Sequence, residues 1–344
     1  MTATEPLPTP VLDPPASAGS ADVEEERRWA GHVSTVAQTD ASGWVTARPP
    51  RWQEIAQRLV GFPGLLARHW DLVTTSVRRE LETRFSGTVL GWFWPLFHPL
   101  FLFVVYYSIF VHLLDFKLEG LPEEQRSGMG VYMFVGITVW AAIAETLNRG
   151  TNVIVDNGNL IKKLAFPSEI LPLNLTVVSM VTLLFAMAMF VLACFVTPMW
   201  VAPGIGLAWI PLLLLAQAVF IYGLTLFLST LQVFLRDTLQ VVAALTTVWM
   251  FATPIFWVPE VLKGAARFMP VMWFNPVYHL VQAWRGAVMG DVYVEPNDEI
   301  MGGYAVSSDA VGEHLAVFSV WAVVFYVLGF AFFVLCQRRF ADEV

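Results

Sequence analysis

The sequence predicts an all-α integral membrane protein with six transmembrane helices, an N-terminal amphipathic interface helix, and re-entrant outer helices before the last span. Three observations predict it. Hydrophobic residues make up 56% of the 344 and charged residues only 14%, where a soluble domain carries about 25% charged residues. Mean hydropathy is +0.60, and several apolar runs reach the ~20 residues that a helix needs to cross a bilayer. Backbone groups in lipid must bond within their own segment or close a barrel. These runs are apolar throughout, with no alternation of polar residues, which selects helices over barrel strands.

Residues 1–60 read as a disordered cytoplasmic tail and 61–344 as the transmembrane domain. Pro6, Pro8, Pro10, Pro14 and Pro15 break helices in the tail, with Ala, Ser, Thr and Glu between them. The first 60 or so residues also lack the apolar core of a signal peptide. Over 64–85, Leu66, Trp70, Val73, Val77 and Leu81 recur at helical spacing. Arg68, Asp71, Thr75, Arg78, Arg79 and Glu82 lie off that face, and Pro63 suits the first turn. A helix with Arg on its wet side and Trp at the apolar edge is expected to lie along a membrane surface.

The spans are expected at about 90–114, 129–147, 171–197, 207–232, 238–258 and 314–336. Asp237 is the expected N-cap of the fifth. Cys194 and Cys336 fall in separate spans and read as small buried apolar residues, not a disulfide. With an even number of spans, Arg78, Arg79, Arg84, Lys162, Lys163, Arg236, Arg338 and Arg339 share one side, which makes that side and both termini cytoplasmic. The net charge of −8 comes largely from acids in the tail and the outer loops, and no basic face points to nucleic acid.

The stretch 268–290 is apolar but broken by Pro270 and by Asn275-Pro276, and it carries His279, Gln282 and Arg285. Counted as a seventh span, it would move Arg338 and Arg339 outside. It is expected instead to form two short helices that dip into the outer leaflet and return, which places Trp273, Phe274, Asn275, Pro276 and Arg285 at the outer mouth of a pore.

No Gly-x-x-x-x-Gly-Lys stretch occurs, so this chain has no P-loop for ATP. No His-Glu-x-x-His, Cys-x-x-Cys or Gly-x-Ser-x-Gly is present either, and the histidines show no ligand spacing. No catalytic or metal-ligating set is assigned. Glu145 and Arg149 are spaced as an ion pair on one helix face. Tryptophans gather at span ends, which reads as an interfacial belt for most of them. A sharper reading lines the pore with Trp92, Trp94, Phe97, Tyr106 and Trp140, on whose faces sugar rings slide.

The run Arg78-Arg79-Glu80-Leu81-Glu82-Thr83-Arg84-Phe85, leading into Gly91-Trp92-Phe93-Trp94-Pro95, resembles the surface helix and first span of type-2 ABC permeases. The subfamily it resembles exports O-antigen, capsule and teichoic-acid polymers. Asn159-Leu160-Ile161-Lys162-Lys163, Phe234-Leu235-Arg236-Asp237 with Thr253-Pro254-Ile255-Phe256, and Phe274-Asn275-Pro276 with Gln282-Ala283-Trp284-Arg285 are similar to its later segments in order. The resemblance covers roughly 62–344 and departs in the long tail and in the acidic outer segment 291–313.

The resemblance implies a permease subunit of an ATP-driven exporter, moving a lipid-linked polysaccharide across the bacterial inner membrane. It implies a homodimer enclosing one pore, with two copies of a separate ATPase that hold ATP and Mg and no cofactor on this chain. Arg78, Arg79, Arg84, Asn159, Lys162 and Lys163 become the ATPase-docking residues, and the re-entrant helices gate the exit. The rival readings are an exporter of a drug or lipid on the same fold, an intramembrane glycosyl- or acyltransferase, and an ion-coupled carrier. The transferase requires converging His, Asp or Glu at one membrane face. The carrier requires charges in mid-span.

Overall fold

A computed structural model describes residues 37–39, 45–47, 52–85, 128–163, 167–196, 205–259, 267–294 and 303–343, with isolated positions between 97 and 109. The expected first span lies outside the described residues but for those positions. The chain divides into two units, Met1–Arg51 and Trp52–Val344. The first contains an antiparallel ribbon of β1 (Ala37–Thr39) and β2 (Val45–Ala47), with Gln38 opposite Thr46. That is regular structure in a stretch whose composition predicts none.

The second unit opens with α1 (Trp52–Arg68) and α2 (Trp70–Phe85), separated at His69. The tail expectation to residue 60 is therefore corrected: the helix begins at Trp52, and Pro63 sits inside it instead of in its first turn. The reason is visible in the spacing of Ile55, Leu59 and Phe62, whose side chains face the bundle. Ile55 and Phe62 are buried, and Phe62 stacks on Tyr222 at 5.4 Å. On α2, Val73 and Val77 are buried against Ile170 and Val178 of α6 (Ile170–Val196). The apolar stripe of α2 thus packs on a neighbouring helix, while Trp70 stays 56% exposed.

The remaining elements are α3 (Gly128–Thr151), α4 (Val153–Asp156), α5 (Gly158–Lys163), α6, α7 (Ile210–Phe234), α8 (Thr238–Ala252), α9 (Met269–Met272), α10 (Pro276–Met289), α11 (Val311–Cys336) and α12 (Phe340–Glu343). A 3-10 turn, Ile205–Trp209, precedes α7. Strands β3 (Val292–Val294) and β4 (Gly303–Val306) pair after α10, and Asp291 accepts hydrogen bonds from the Ser308 N–H and hydroxyl.

Among the described residues, four helical stretches are long and apolar enough to cross a membrane: Gly130–Thr151, Ile170–Leu192, Ile205–Phe234 and Val311–Arg339. The expected fifth span is shorter than its apolar run. Helix α8 has 15 residues, about 22 Å at 1.5 Å per residue, against a hydrocarbon core of about 30 Å. It ends before Thr253-Pro254-Ile255, because Pro254 cannot donate into the helical ladder.

In lipid, helices gain little from burying apolar surface against each other, so close packing and hydrogen bonds decide their contacts. Helices α7 and α11 cross where Gly223 faces Gly329, and a Cβ at either would collide with the opposite backbone. Helix α3 runs through the core, with Val131, Met133, Val135, Val139 and Ile143 buried. Some polar side chains inside the bundle are bonded across helices: Ser179 donates to the Ala142 carbonyl at 2.9 Å, and Trp284 donates to Gln217 Oε1 at 2.9 Å, whereas Thr225 Oγ1 and Asn174 Oδ1 are buried with no hydrogen-bond partner among the described residues.

Candidate functional site

Two ends of the bundle carry organised polar groups. At the end where α3 and α7 finish and α6 and α8 begin, the described basic residues Arg58, Arg149, Lys162, Arg236, Arg338 and Arg339 collect. The expected Glu145–Arg149 pair is present at 3.6 Å. Arg149 also pairs with Glu80 of α2, so the surface helix is tied to the end of α3. Arg58 donates to Gln337 Oε1 at 3.1 Å, and Gln337 Nε2 donates to Ser168 Oγ at 3.0 Å. These bonds bind α1, the end of α11 and the start of α6. Beside them Glu169 is buried, and desolvation pushes its carboxyl above the ordinary carboxylate value, opposed by its backbone N–H, Arg58 and Gln337.

A cleft opens between the α4–α5 segment and the α7–α8 junction, lined by Asp156, Asn159, Lys162, Gln232, Arg236 and Glu343 among others. Two of the expected docking residues, Asn159 and Lys162, share this cleft. Arg78 and Arg79 stand exposed on α2, where Arg78 pairs with Glu82 at 2.8 Å, and neither lines the cleft. The side chains of Arg84 and Lys163 lie outside the described residues.

At the opposite end, α9 and α10 form the two short helices expected over 268–290, and all 14 residues of α10 are buried. Asn275 is the N-cap of α10: its side chain accepts from the Val277 N–H, and Pro276 takes the first helical position. The same side chain accepts from Trp249 Nε1 at 2.9 Å and donates to Thr253 Oγ1 at 2.9 Å, so it joins α10 to the end of α8. Trp273 is partly exposed and Phe274 is 75% exposed beside it.

Arg285 is placed differently from an exposed lip residue. It is 0% exposed and donates to the carbonyls of Tyr132, Pro254 and Ile255 at 3.1, 2.8 and 3.0 Å. Those of Pro254 and Ile255 belong to the backbone freed by the break after α8, which must be satisfied inside the protein. His279 packs at the same end, its Nε2 2.9 Å from the Trp273 carbonyl and its Nδ1 2.9 Å from His314 Nδ1. A carbonyl only accepts, so His279 Nε2 carries a proton and His314 Nδ1 donates to His279 Nδ1.

Of the expected pore-lining aromatics, Trp140 is 4% exposed and meets Trp249 edge-on at 5.8 Å. Phe97 is 44% exposed and stacks on Phe101. Trp92, Trp94 and Tyr106 lie outside the described residues. Glu80, Arg58 and Gln337 were not singled out from sequence, because their partners are far along the chain; Gln232 bonds the nearby Arg236 and Leu239 as well as the distant Asn152. A polar side chain closing an apolar span, as Gln232 and Gln337 do, was the available signal.

Long apolar helices with a polar, basic end define a multi-pass membrane protein. The family described as ABC-2 type transporter matches residues 71–289, and the chain belongs to that family. It is 24% identical over 220 residues to the O-antigen export system permease protein RfbA of Myxococcus xanthus, covering 64% of this chain and 81% of that protein. It is 23% identical over 274 residues to an O-antigen export system permease protein RfbA of Klebsiella pneumoniae, covering 79% of this chain and 95% of that one.

Proposed function

We propose that this chain is the permease subunit of an ATP-driven exporter that moves a lipid-linked polysaccharide of the O-antigen, capsule or teichoic-acid type across the inner membrane. The observation that carries the reading is the likeness to O-antigen export permeases across 79% of this chain. Two copies enclose the pore, and two copies of a separate ATPase, which hold ATP and Mg, dock at the basic end. That end faces the cytoplasm with both termini, as the positive-inside rule requires. Six spans follow if residues 90–114 and the α8 segment are counted with the four long helices. Arg78, Arg79, Arg84, Asn159, Lys162 and Lys163 make the docking surface. Trp273, Phe274, Asn275 and Pro276 form the outer gate, with Arg285 holding it from behind. Aromatics facing the pore offer stacking surfaces to sugar rings.

Two measurements test this. Deleting the gene should abolish a surface polysaccharide, and the polymer should accumulate inside the cell; normal surface polymer with loss of drug or lipid efflux would overturn the substrate class. Co-purification with the partner ATPase should fall when Lys162 and Lys163 are changed to Glu. Undiminished association would remove this segment from the docking surface.

A further inference from the structure

Helix α7 ends at Phe234, and Leu235 is extended at φ −127° and ψ 95°. Helix α8 then begins with Asp237 in the N-cap position, yet the Asp237 side chain makes no capping bond. The expected residue holds the N-cap position, but its side chain does not cap. The first N–H groups of a helix need an outside acceptor, and one of them, Leu239 N–H, donates instead to Oε1 of Gln232 at 2.9 Å. The Nε2 of Gln232 donates to the Arg236 carbonyl at 3.2 Å and to Asn152 Oδ1 at 3.3 Å. Asn152 in turn donates from Nδ2 to Asp156 Oδ1 at 2.5 Å. The orientation of the carboxamide follows from its partners, since an N–H needs the oxygen and a carbonyl needs the nitrogen.

Gln232 is 5% exposed, so its bonds are not shared with bulk solvent. One buried side chain thus joins the α3–α4 corner, the α7–α8 junction and the first turn of α8. At its far end α8 meets the re-entrant elements: Trp249 and Thr253 bond Asn275, and Pro254 and Ile255 bond Arg285. Helix α8, ~22 Å long, connects these two sets of bonds.

We infer that Gln232 is the positioning residue that passes movement of the α4–α5 segment to α8, and through α8 to Asn275 and the α9–α10 turn. The inference rests on the proposed docking of the ATPase at α4–α5. Gln232 lies at the floor of the cleft that holds Asn159 and Lys162 and is only 5% exposed; its role is to make the docked segment and the start of α8 move together. Without it, ATP binding displaces α4–α5 and the re-entrant turn stays in place.

The test uses the complex of this chain with its ATPase in proteoliposomes. Cys194 and Cys336 are replaced by Ser, and Phe274→Cys supplies the only thiol of this chain, at a position 75% exposed. The readout is the rate of labelling by a charged maleimide with and without ATP and Mg. The parent should show an ATP-dependent change of rate. In Gln232→Leu that change should shrink about tenfold, the scale of losing one or two buried hydrogen bonds, while the ATPase still co-purifies.

Asn152→Leu, which cuts the link to α4 but leaves Gln232 its bonds to Arg236 and Leu239, should do the same, and it replaces Gln232→Leu if that variant does not assemble. An ATP-dependent change that survives either substitution, or one missing from the parent, overturns the inference. Lys162→Glu run in parallel tests the docking reading separately. Lost association there, with normal ATP-dependent labelling in Gln232→Leu, would sink the role of Gln232 alone. Retained association in Lys162→Glu would sink the docking reading, and the inference that rests on it.

Discussion

Arg285 meets Tyr132 twice: its Nε donates to the Tyr132 carbonyl at 3.1 Å, and its guanidinium carbon lies 3.3 Å from the centre of the Tyr132 ring. Its Nη atoms continue to Pro254 and Ile255. A planar fork with five donors can serve three carbonyls on two segments, which a lysine ammonium cannot do with the same geometry. The charge is buried, but it is spent on backbone dipoles and an aromatic face, so it marks a structural pin between α3, α10 and the break after α8.

Arg285→Met should therefore leave the Pro254 and Ile255 carbonyls short of a donor and cost about 1–3 kcal/mol for each. The melting temperature of the detergent-solubilised chain should drop, and Arg285→Lys should drop it too, by a smaller amount. Unchanged melting of the Met variant would show that water or another group replaces the guanidinium.

The α7–α11 crossing depends on missing side chains. A Cβ at Gly329 would run into the Gly223 carbonyl, and one at Gly223 would run into the Tyr326 backbone. Gly329→Ala should force the helices apart and destabilise the bundle by about 1–3 kcal/mol. Thermal melting checks the loss, and a control Gly61→Ala, where nothing lies in the way, should be tolerated.

The bond between Glu80 and Arg149 anchors α2 to α3. Their side chains are 31% and 42% exposed, so solvent screening limits the coupling to under about 1 kcal/mol. Glu80→Gln and Arg149→Gln should each speed amide hydrogen exchange over Trp70–Phe85, and the double variant should exchange no faster than the single ones. Additive effects would mean that the two residues act apart.

Burial raises the Glu169 carboxyl above its ordinary value. The folded chain then holds that proton more tightly than the unfolded chain, so this group's contribution to stability is greatest at low pH. It is lost as pH rises from the ordinary carboxylate value through the raised one. Glu169→Gln should remove that part of the decline, and melting temperature measured against pH should fall less steeply in the variant. An identical slope would mean that the charged carboxylate is solvated or fully paired.

Much of the bundle was readable along the chain. A bilayer requires runs of apolar residues, and those runs coincide with α3, α6, α7 and α11. The Glu145–Arg149 pair was readable too, because both partners lie within one turn of helix. Helix α1 was missed although Ile55, Leu59 and Phe62 carry its period, since the proline-rich stretch before it set the reading of the whole tail. The length of α8 was misjudged because hydropathy continues through Ile255 to Val258 after the helix has stopped.

The sequence by itself determined which segments are greasy enough to be helices in lipid and which end of them is cationic, because those properties are summed over neighbours in the chain. Only the tertiary structure decided where the broken backbone after α8 finds its donors and which buried amide caps α8. It also decided that Trp140 and Arg285 belong to the packed core. Each of those outcomes depends on groups that folding brings within about 3 Å, the range at which hydrogen bonds act, and no local pattern records which groups those are.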